Sequence, residues 1–362
     1  MGFKCGIIGL PNVGKSTLFN LLTKGNSAVA NFPFCTIKPN IGIVPVIDER
    51  INNLNQIVSP QKTVNAFIEF IDIAGLVKGA SQGEGLGNQF LGNIRDVHAI
   101  AHVVRCFKDD NITHIYNQVQ PIKDIDIINS ELILSDFDLC EKTILKLQKK
   151  TLLKNKETQE KINTLKKCLN HLKQFFMLKT LNLNKTEKQL ISYLRFLTLK
   201  PTMYIANINE EKESYYFLDK LNEIAKKEGS IVIPIHANLE LDLVKMSDEE
   251  KKSFMKLFNI KTLGLNSIIS SGYHLLNLIT FFTVGDKEIR AWAIPNGSTS
   301  IEAAHKIHSD FSKGFIRAQI IKYVDFITYK SEAKIKEMGK FRTEGKQYYI
   351  QDGDIIHFLF NV

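Results

Sequence analysis

Gly9, Gly14, Lys15 and Ser16 stand at the spacing G-x-x-x-x-G-K-S, directly after the apolar run Cys5 to Leu10. These residue types at that spacing make a cradle for a phosphate chain. The glycines let the backbone take conformations that a Cβ forbids, so the N–H groups of Asn12, Val13, Gly14, Lys15, Ser16 and Thr17 can turn inward around an anion. Lys15 then supplies a point charge for the β- and γ-phosphates, and the Ser16 hydroxyl is a ligand for Mg²⁺. A helix from Lys15 to about Thr23, burying Leu18, Leu21 and Leu22, aims its positive end at the same place.

Three further segments supply what such a loop needs. Thr36, in the proline-broken stretch from Ala28 to Gly42, is the natural second hydroxyl for the metal. Asp72 and Gly75 form D-x-x-G after the β-rich run Phe67 to Ile71, which predicts a carboxylate reaching Mg²⁺ through water and an N–H that senses the γ-phosphate. Leu76 follows, where Ras-like enzymes carry a water-orienting glutamine, so hydrolysis is either very slow or served by another group. His114, shortly after the apolar run Ala99 to Phe107, is one source of that group, and a solvated loop histidine is the alternative. His102, inside the run, reads as a core residue.

Base recognition should follow the apolar run Met203 to Ala206. The chain reads Asn207-Ile208-Asn209-Glu210 where a guanine-binding protein has N-K-x-D. Replacing Asp by the longer Glu, and Lys by Ile, mis-sets a charge-assisted contact of ~1–3 kcal/mol. Asn207 can still accept from adenine N6 and donate to N7. A second run, Ile231 to Ile235, leads to His236-Ala237-Asn238, placed for a backbone contact to the base. Adenine is favoured over guanine.

These motifs demand a parallel sheet with its strand ends on one edge, and the apolar runs provide it. The composition is that of a globular chain, 44% hydrophobic and 23% charged over 362 residues. No apolar run approaches a membrane span, and the N-terminal run leads into Pro11 and Lys15 rather than a cleavage site. Five cysteines scattered singly argue against zinc and disulfides and for a reducing cytoplasm. A net charge of +9 permits a polyanionic partner, although a Lys-, Asn- and Ile-rich composition would produce it without one.

With the runs Gly9 to Thr17, Asn31 to Thr36, Asp72 to Ala80, Gly83 to Asn88 and Asn207 to Glu210 assembled, the chain resembles the YchF / Obg-like ATPase family over its whole length. The resemblance implies an ATPase that prefers ATP to GTP, needs Mg²⁺ and associates with the ribosome, chiefly its large subunit and the 70S particle. It also implies a hydrophobic residue at the Leu76 position, and at Asn12 the asparagine through which some relatives take up K⁺. Neither membrane nor DNA is expected as a partner.

The expected fold class is α/β, a P-loop NTPase of the Ras-like kind with an inserted helical hairpin and a C-terminal β-grasp domain. Residues 1–128 and 200–277 are predicted to form the ATP-binding G domain. In 129–199, Ile133, Phe137, Cys140, Ile144 and Leu147, then Ile162, Leu165, Leu169, Leu172 and Phe176, recur at spacings of three and four. That predicts a coiled-coil hairpin, or else a small helical subdomain packed on the core. Lys149, Lys150, Lys154, Lys156 and Lys161 would crown its tip, as an RNA-binding end or a solvated face. Residues 278–362 read as short strands (Thr280–Val284, Glu288–Ile294, Ala318–Tyr323, Gln347–Ile350, Asp354–Phe360) around one helix, Ser300 to Phe311. They resemble the TGS domain also found in threonyl-tRNA synthetases. Lys306, Lys313, Arg317, Lys322 and Lys330 could make it basic, and Phe326 and Tyr329 could stack on bases.

The leading functional expectation is an ATP-dependent switch coupled to the ribosome. A GTPase of relaxed base specificity and a nucleotide-gated binder with negligible turnover are the alternatives. Nothing after the phosphate loop resembles the acceptor pocket or lid of a metabolic kinase.

Overall fold

The structure is a computed structural model that describes residues 2–24, 40–73, 86–116, 118–150, 156–257 and 263–361. Its strands form two six-stranded sheets. The first contains β1 (Phe3–Ile8), β2 (Asn40–Pro45), β4 (Phe67–Asp72), β5 (Ala99–Arg105), β6 (Thr202–Asn207) and β7 (Ile231–Ile235), in the order β2-β4-β1-β5-β6-β7. The pairs β1/β5, β5/β6 and β6/β7 are parallel. Every residue of β5 is buried, which is why it reads as an almost unbroken apolar run. Register aligns the strand ends: Ile8 lies opposite His102, Arg105 opposite Asn207, and Asn207 opposite Ile235. The segments after β1, β5, β6 and β7 therefore emerge along one carboxyl edge, where open α/β sheets bind their ligands.

The second sheet contains β3 (Lys62–Val64), β8 (Leu278–Val284), β9 (Glu288–Pro295), β10 (Phe315–Lys322), β11 (Arg342–Glu344) and β12 (Asp354–Phe360), in the order β11-β10-β12-β8-β9-β3. Its core gathers Phe281, Ile294, Phe315, Ile320, Ile356 and Phe358 under Ala303 and Ala304 of the helix Ser300–Ile307. Thr299 and Glu302 close a capping box at the start of that helix. The helix stops short of Phe311 because His308 is extended (φ −161°), and its imidazole accepts from the Asp310 N–H to begin a separate short helix. Gln347–Ile350 is not a strand; only a single bridge joins Tyr349 to Thr299, and β11 takes the edge position.

The chain divides into two compact units, 3–43 with 69–268, and 1–2 with 44–68 and 269–362. This departs from the boundaries read from sequence. Residues 44–68 leave the G domain because β3 pairs in parallel with β9 as the sixth strand of the second sheet. Arg50 secures the preceding helix Glu49–Val58 there: its guanidinium lies 2.8 Å from Asp48, 2.7 Å from Asp352 and 5.3 Å from the Phe282 ring centroid.

The helical insertion also starts earlier than expected. A 30-residue helix runs Pro121–Lys150, some 45 Å at ~1.5 Å per residue, with proline in its first turn where no N–H partner is lost. It packs on the 18-residue helix Lys156–Lys173, and the Cys140 thiol donates to the Leu165 carbonyl (3.2 Å). Ile133, Cys140, Ile144, Ile162, Leu165 and Leu172 are buried as expected, but Cys168 fills the seam, and Phe176 lies beyond the helix, 53% exposed. Asp136, fully buried, accepts from the Thr198 N–H and hydroxyl, both 2.8 Å, and so pins the long helix within the first unit. Residues 151–155, including Lys154 of the expected basic tip, lie outside the described residues. Among the described residues no helix is long and apolar enough to cross a membrane.

Candidate functional site

The loop after β1 turns on three residues with positive φ: Gly9 (152°), Asn12 (62°) and Gly14 (102°). A Cβ on Gly9 would stand 2.5 Å from the Val103 carbonyl oxygen, and one on Gly14 would stand 2.5 Å from the Asn207 amide nitrogen. Both glycines are thus required by close approach as well as by conformation. The helix Lys15–Lys24 begins at once, with the Leu18 N–H donating to the Gly14 carbonyl (2.9 Å).

Lys15 is buried and folds its ammonium back onto the Leu10 carbonyl (2.7 Å). Burial pulls its pKa down to about 8, against the attraction of Asp72. Asp72, at the end of β4, is pushed up by burial and held down by Lys15. Cation and carboxylate are thus close enough for each to favour the charge of the other. Ser16, next in the chain, is exposed at the first turn of the helix; its hydroxyl and the Asp72 carboxylate are both hard oxygen donors of the kind Mg²⁺ takes. Thr36, Gly75 and Leu76 lie outside the described residues, as does Cys35.

Asn207 ends β6 and is buried. Its Nδ2 donates to the Val13 carbonyl (3.1 Å), which ties the end of β6 to the loop after β1. One of its two amide hydrogens is thereby in use; Oδ1 and the second hydrogen remain for a base. Beyond it opens a cavity of ≈ 230 Å³ lined by Phe107, Lys108, Asp109, Asn207 to Glu210, His236, Asn238 and Leu239. Ile208, buried at the edge of this cavity, packs with the apolar cluster of Val104, Cys106, Tyr204 and Leu221. Asn209 accepts from Ser214 and from the Glu211 N–H at the start of the helix Lys212–Glu228. Glu210 is exposed at the rim. His236 is held below the ordinary imidazole range by burial, with Glu210 opposing.

The segment after β5 joins both halves of the site. Asn12 donates to the Thr113 carbonyl (3.1 Å). The next residue, His114, is 6% exposed, so it is not a solvated loop histidine. Its Nδ1 accepts from the Tyr116 N–H (3.2 Å) and its Nε2 lies 3.0 Å from Asp124, in the first turn of the long helix. Positioning water from either nitrogen would require breaking one of these contacts. His102 is a core histidine as expected, its ring 5.5 Å from Tyr204 and its pKa lowered to about 3 by burial.

Arg105 was not among the residues singled out from the sequence, and it organises this segment. It is 1% exposed, and its Nε, Nη1 and Nη2 donate to the carbonyls of Phe107 (3.1 Å), Ile112 (3.0 Å) and Asp109 (3.1 Å). Its guanidinium lies 4.8 Å from the Phe107 ring centroid. Burial works against the charge, and Asp109 and Asp124 work for it. The one available signal was an arginine closing an otherwise apolar strand.

Across all 362 residues the chain is 76% identical to a protein of Buchnera aphidicola (subspecies Schizaphis graminum) named ribosome-binding ATPase YchF, with both chains fully covered. The chain belongs to the YchF family. YchF proteins under the same name from Escherichia coli O157:H7 and Bacillus subtilis are 57% and 45% identical, again over both full lengths. The solved structure of the Schizosaccharomyces pombe YchF GTPase superposes with a TM-score of 0.85 at 38% identity, covering 99% of this chain and 98% of that one. Two family models match within this YchF chain. One, described as a 50S ribosome-binding GTPase, spans residues 4–135; the C-terminal YchF model, described as a protein of unknown function, spans 278–361. The expected α/β P-loop NTPase fold and the place of this chain among NTP hydrolases are therefore both established.

Proposed function

We propose that the chain is a Mg²⁺-dependent ATPase switch that prefers ATP to GTP, hydrolyses it slowly, and couples its nucleotide state to the large ribosomal subunit and the 70S particle in the cytoplasm. The observation that carries the reading is the cavity beyond Asn207. Its walls offer the amides of Asn207 and Asn238, a neutral imidazole, an aromatic ring, Lys108 and Asp109, whose Oδ1 already accepts from the Asn111 N–H, while Glu210 of the N-x-x-E segment is exposed at the rim. Adenine needs one acceptor for N6 and one donor for N7, which Asn207 retains; guanine needs a carboxylate facing N1 and N2. The names of the relatives support ribosome binding and ATP hydrolysis.

In this reading Lys15 exchanges the Leu10 carbonyl for the β- and γ-phosphates, and Asn12, Val13, Gly14, Ser16 and Thr17 supply the backbone cradle. Ser16 and Asp72, with Thr36, would hold Mg²⁺, which neutralises charge between the two phosphates when bound. Asn12, whose Nδ2 is committed to Thr113, keeps Oδ1 as an oxygen ligand for K⁺. Gly75 senses the γ-phosphate. His114 acts on the attacking water once its contact to Tyr116 or Asp124 opens. Residues 278–362 are read as a TGS module; Phe326, at 4% exposed, serves its core and not a stacked base.

The test is single-turnover ATP hydrolysis with Mg²⁺ and K⁺, with and without purified ribosomes. Because Leu76 lacks the glutamine's function, ribosomes should accelerate the step, on the order of tenfold or more, by completing the site. ATP that stays bound and intact beside ribosomes would instead favour the nucleotide-gated binder. The fission yeast relative and one family model carry the word GTPase, so GTP is the competing nucleotide. Glu210→Asp should raise GTP affinity relative to ATP by roughly 3–10-fold, as the carboxylate is drawn towards the cavity. An unchanged ratio in competition binding would remove Glu210 from the account of base choice.

A further inference from the structure

The end of the helix Lys156–Lys173 carries an apolar residue that the fold gives no reason to keep. The Phe175 N–H donates to the Leu172 carbonyl (2.9 Å) and the Phe176 N–H to the His171 carbonyl (3.4 Å). This is the Schellman ending, with the ring of Phe176 making its usual contact to the third residue from the end, His171, at 5.5 Å between centroids. Phe175 therefore occupies the left-handed position (φ 59°) that glycine or asparagine ordinarily fills. A bulky residue there is strained. Its ring is also 59% exposed, beside Phe176 at 53%, so burial offers no compensation.

Exposed lysines lie on the helix that leads into this turn and on its neighbour. Residues 156–200 contain ten Lys and Arg against three Glu; Lys161, Lys167, Lys179 and Arg195 are ion-paired and Lys200 is buried, so the charge left for a partner is that of the remaining exposed lysines. Lys166 and Lys173 are exposed and seven residues apart, hence on one face of the helix, which leads directly into Phe175. Lys185 and Lys188 are exposed on the short helix Lys185–Ile191 packed against it.

We infer that the turn Lys173–Phe176 with the Lys166–Lys173 face is an RNA-docking surface, on which Phe175 stacks against an unpaired base while the lysines lie along the backbone. The inference rests on the ribosome-binding reading and says which surface performs it. Aromatic stacking of a splayed base beside a lysine row is how proteins hold the unpaired parts of structured RNA. A protein partner recognising two exposed rings would not require the exposed lysines beside them.

The test uses the full-length chain loaded with ATP, with vacant 70S ribosomes and protein-free large-subunit rRNA as the two probes. Phe175→Gly relieves the backbone strain and so should raise the thermal midpoint by about 2 °C. The same variant should weaken binding to both probes by about tenfold, the loss of one stacked base. Lys166→Glu with Lys173→Glu should weaken both and make the dependence of log affinity on log salt shallower by about 1.4 or more. Intrinsic ATP hydrolysis should not change. Undiminished binding by the more stable Phe175→Gly chain overturns the proposal. Loss on ribosomes but not on bare rRNA also overturns it, since the partner is then a ribosomal protein. Wild-type chain that ignores ribosomes yet binds rRNA through Phe175 would sink the ribosome reading while sparing the surface.

Discussion

Lys15→Ala should lower single-turnover ATP hydrolysis by about 100-fold or more while the protein stays folded, because the two effects of the side chain are separable. In catalysis its ammonium is the one cation of the phosphate loop, next to Asp72 and inside a buried site where charge acts strongly. In folding it contributes little. The ammonium makes one hydrogen bond, to the Leu10 carbonyl, and burial has already drawn its pKa down to about 8, so removing it also removes a desolvation cost. The net change in stability should stay within about 1 kcal/mol. Thermal unfolding and single-turnover kinetics on the same preparation separate the effects. A folded variant that hydrolyses ATP at the normal rate would place the phosphates elsewhere.

What could be read from the sequence followed how locally each feature is encoded. The phosphate loop is contiguous, and its glycines are fixed by contacts that any such loop must make. Asn207 was legible because an apolar run placed it at a strand end, and parallel register then carried it to Val13. His102 announced itself as core by lying within such a run. Residues 44–68 were misassigned because their defining contact is a three-residue strand on β9, more than 200 positions away, too short for any periodicity. Phe176 continued an apolar spacing beyond the point where the Schellman turn ends the helix. The spacing of a seam does not reveal where its helix stops unless glycine marks the place, and here phenylalanine stands there. For His114 the sequence left a water-positioning group and a solvated loop histidine open, because loop sequence does not show that Asp124, ten residues on, will lie against it in a buried site.

Arg105 carries the second large expected effect, on the base and not the phosphates. Its planar fork serves three carbonyls spread over six residues, a geometry that the single point-like ammonium of a lysine cannot reproduce. Arg105→Lys should leave at least one half-buried carbonyl without its donor, at about 1 kcal/mol of stability, and release Phe107 and Asp109 from the wall of the base cavity. ATP affinity should then fall about tenfold, and the preference for ATP over GTP should narrow, while inorganic triphosphate, which lacks a base, should bind within about twofold of normal. That contrast distinguishes positioning from general damage, because a loosened fold would weaken both ligands alike. Ethylguanidinium added to Arg105→Ala supplies a second readout: it should restore ATP affinity where ethylammonium does not, since only the planar cation can reach the three carbonyls together. Equal losses for ATP and triphosphate, with no rescue, would reduce Arg105 to a stabilising residue. If the contrast holds, the loop after β5 is the element through which the base cavity, Asn12 of the phosphate loop and the foot of the long helix are set by one guanidinium. Nucleotide state could then reach the helix through Thr113 and His114, adjacent residues whose partners are Asn12 on one side and Asp124 on the other.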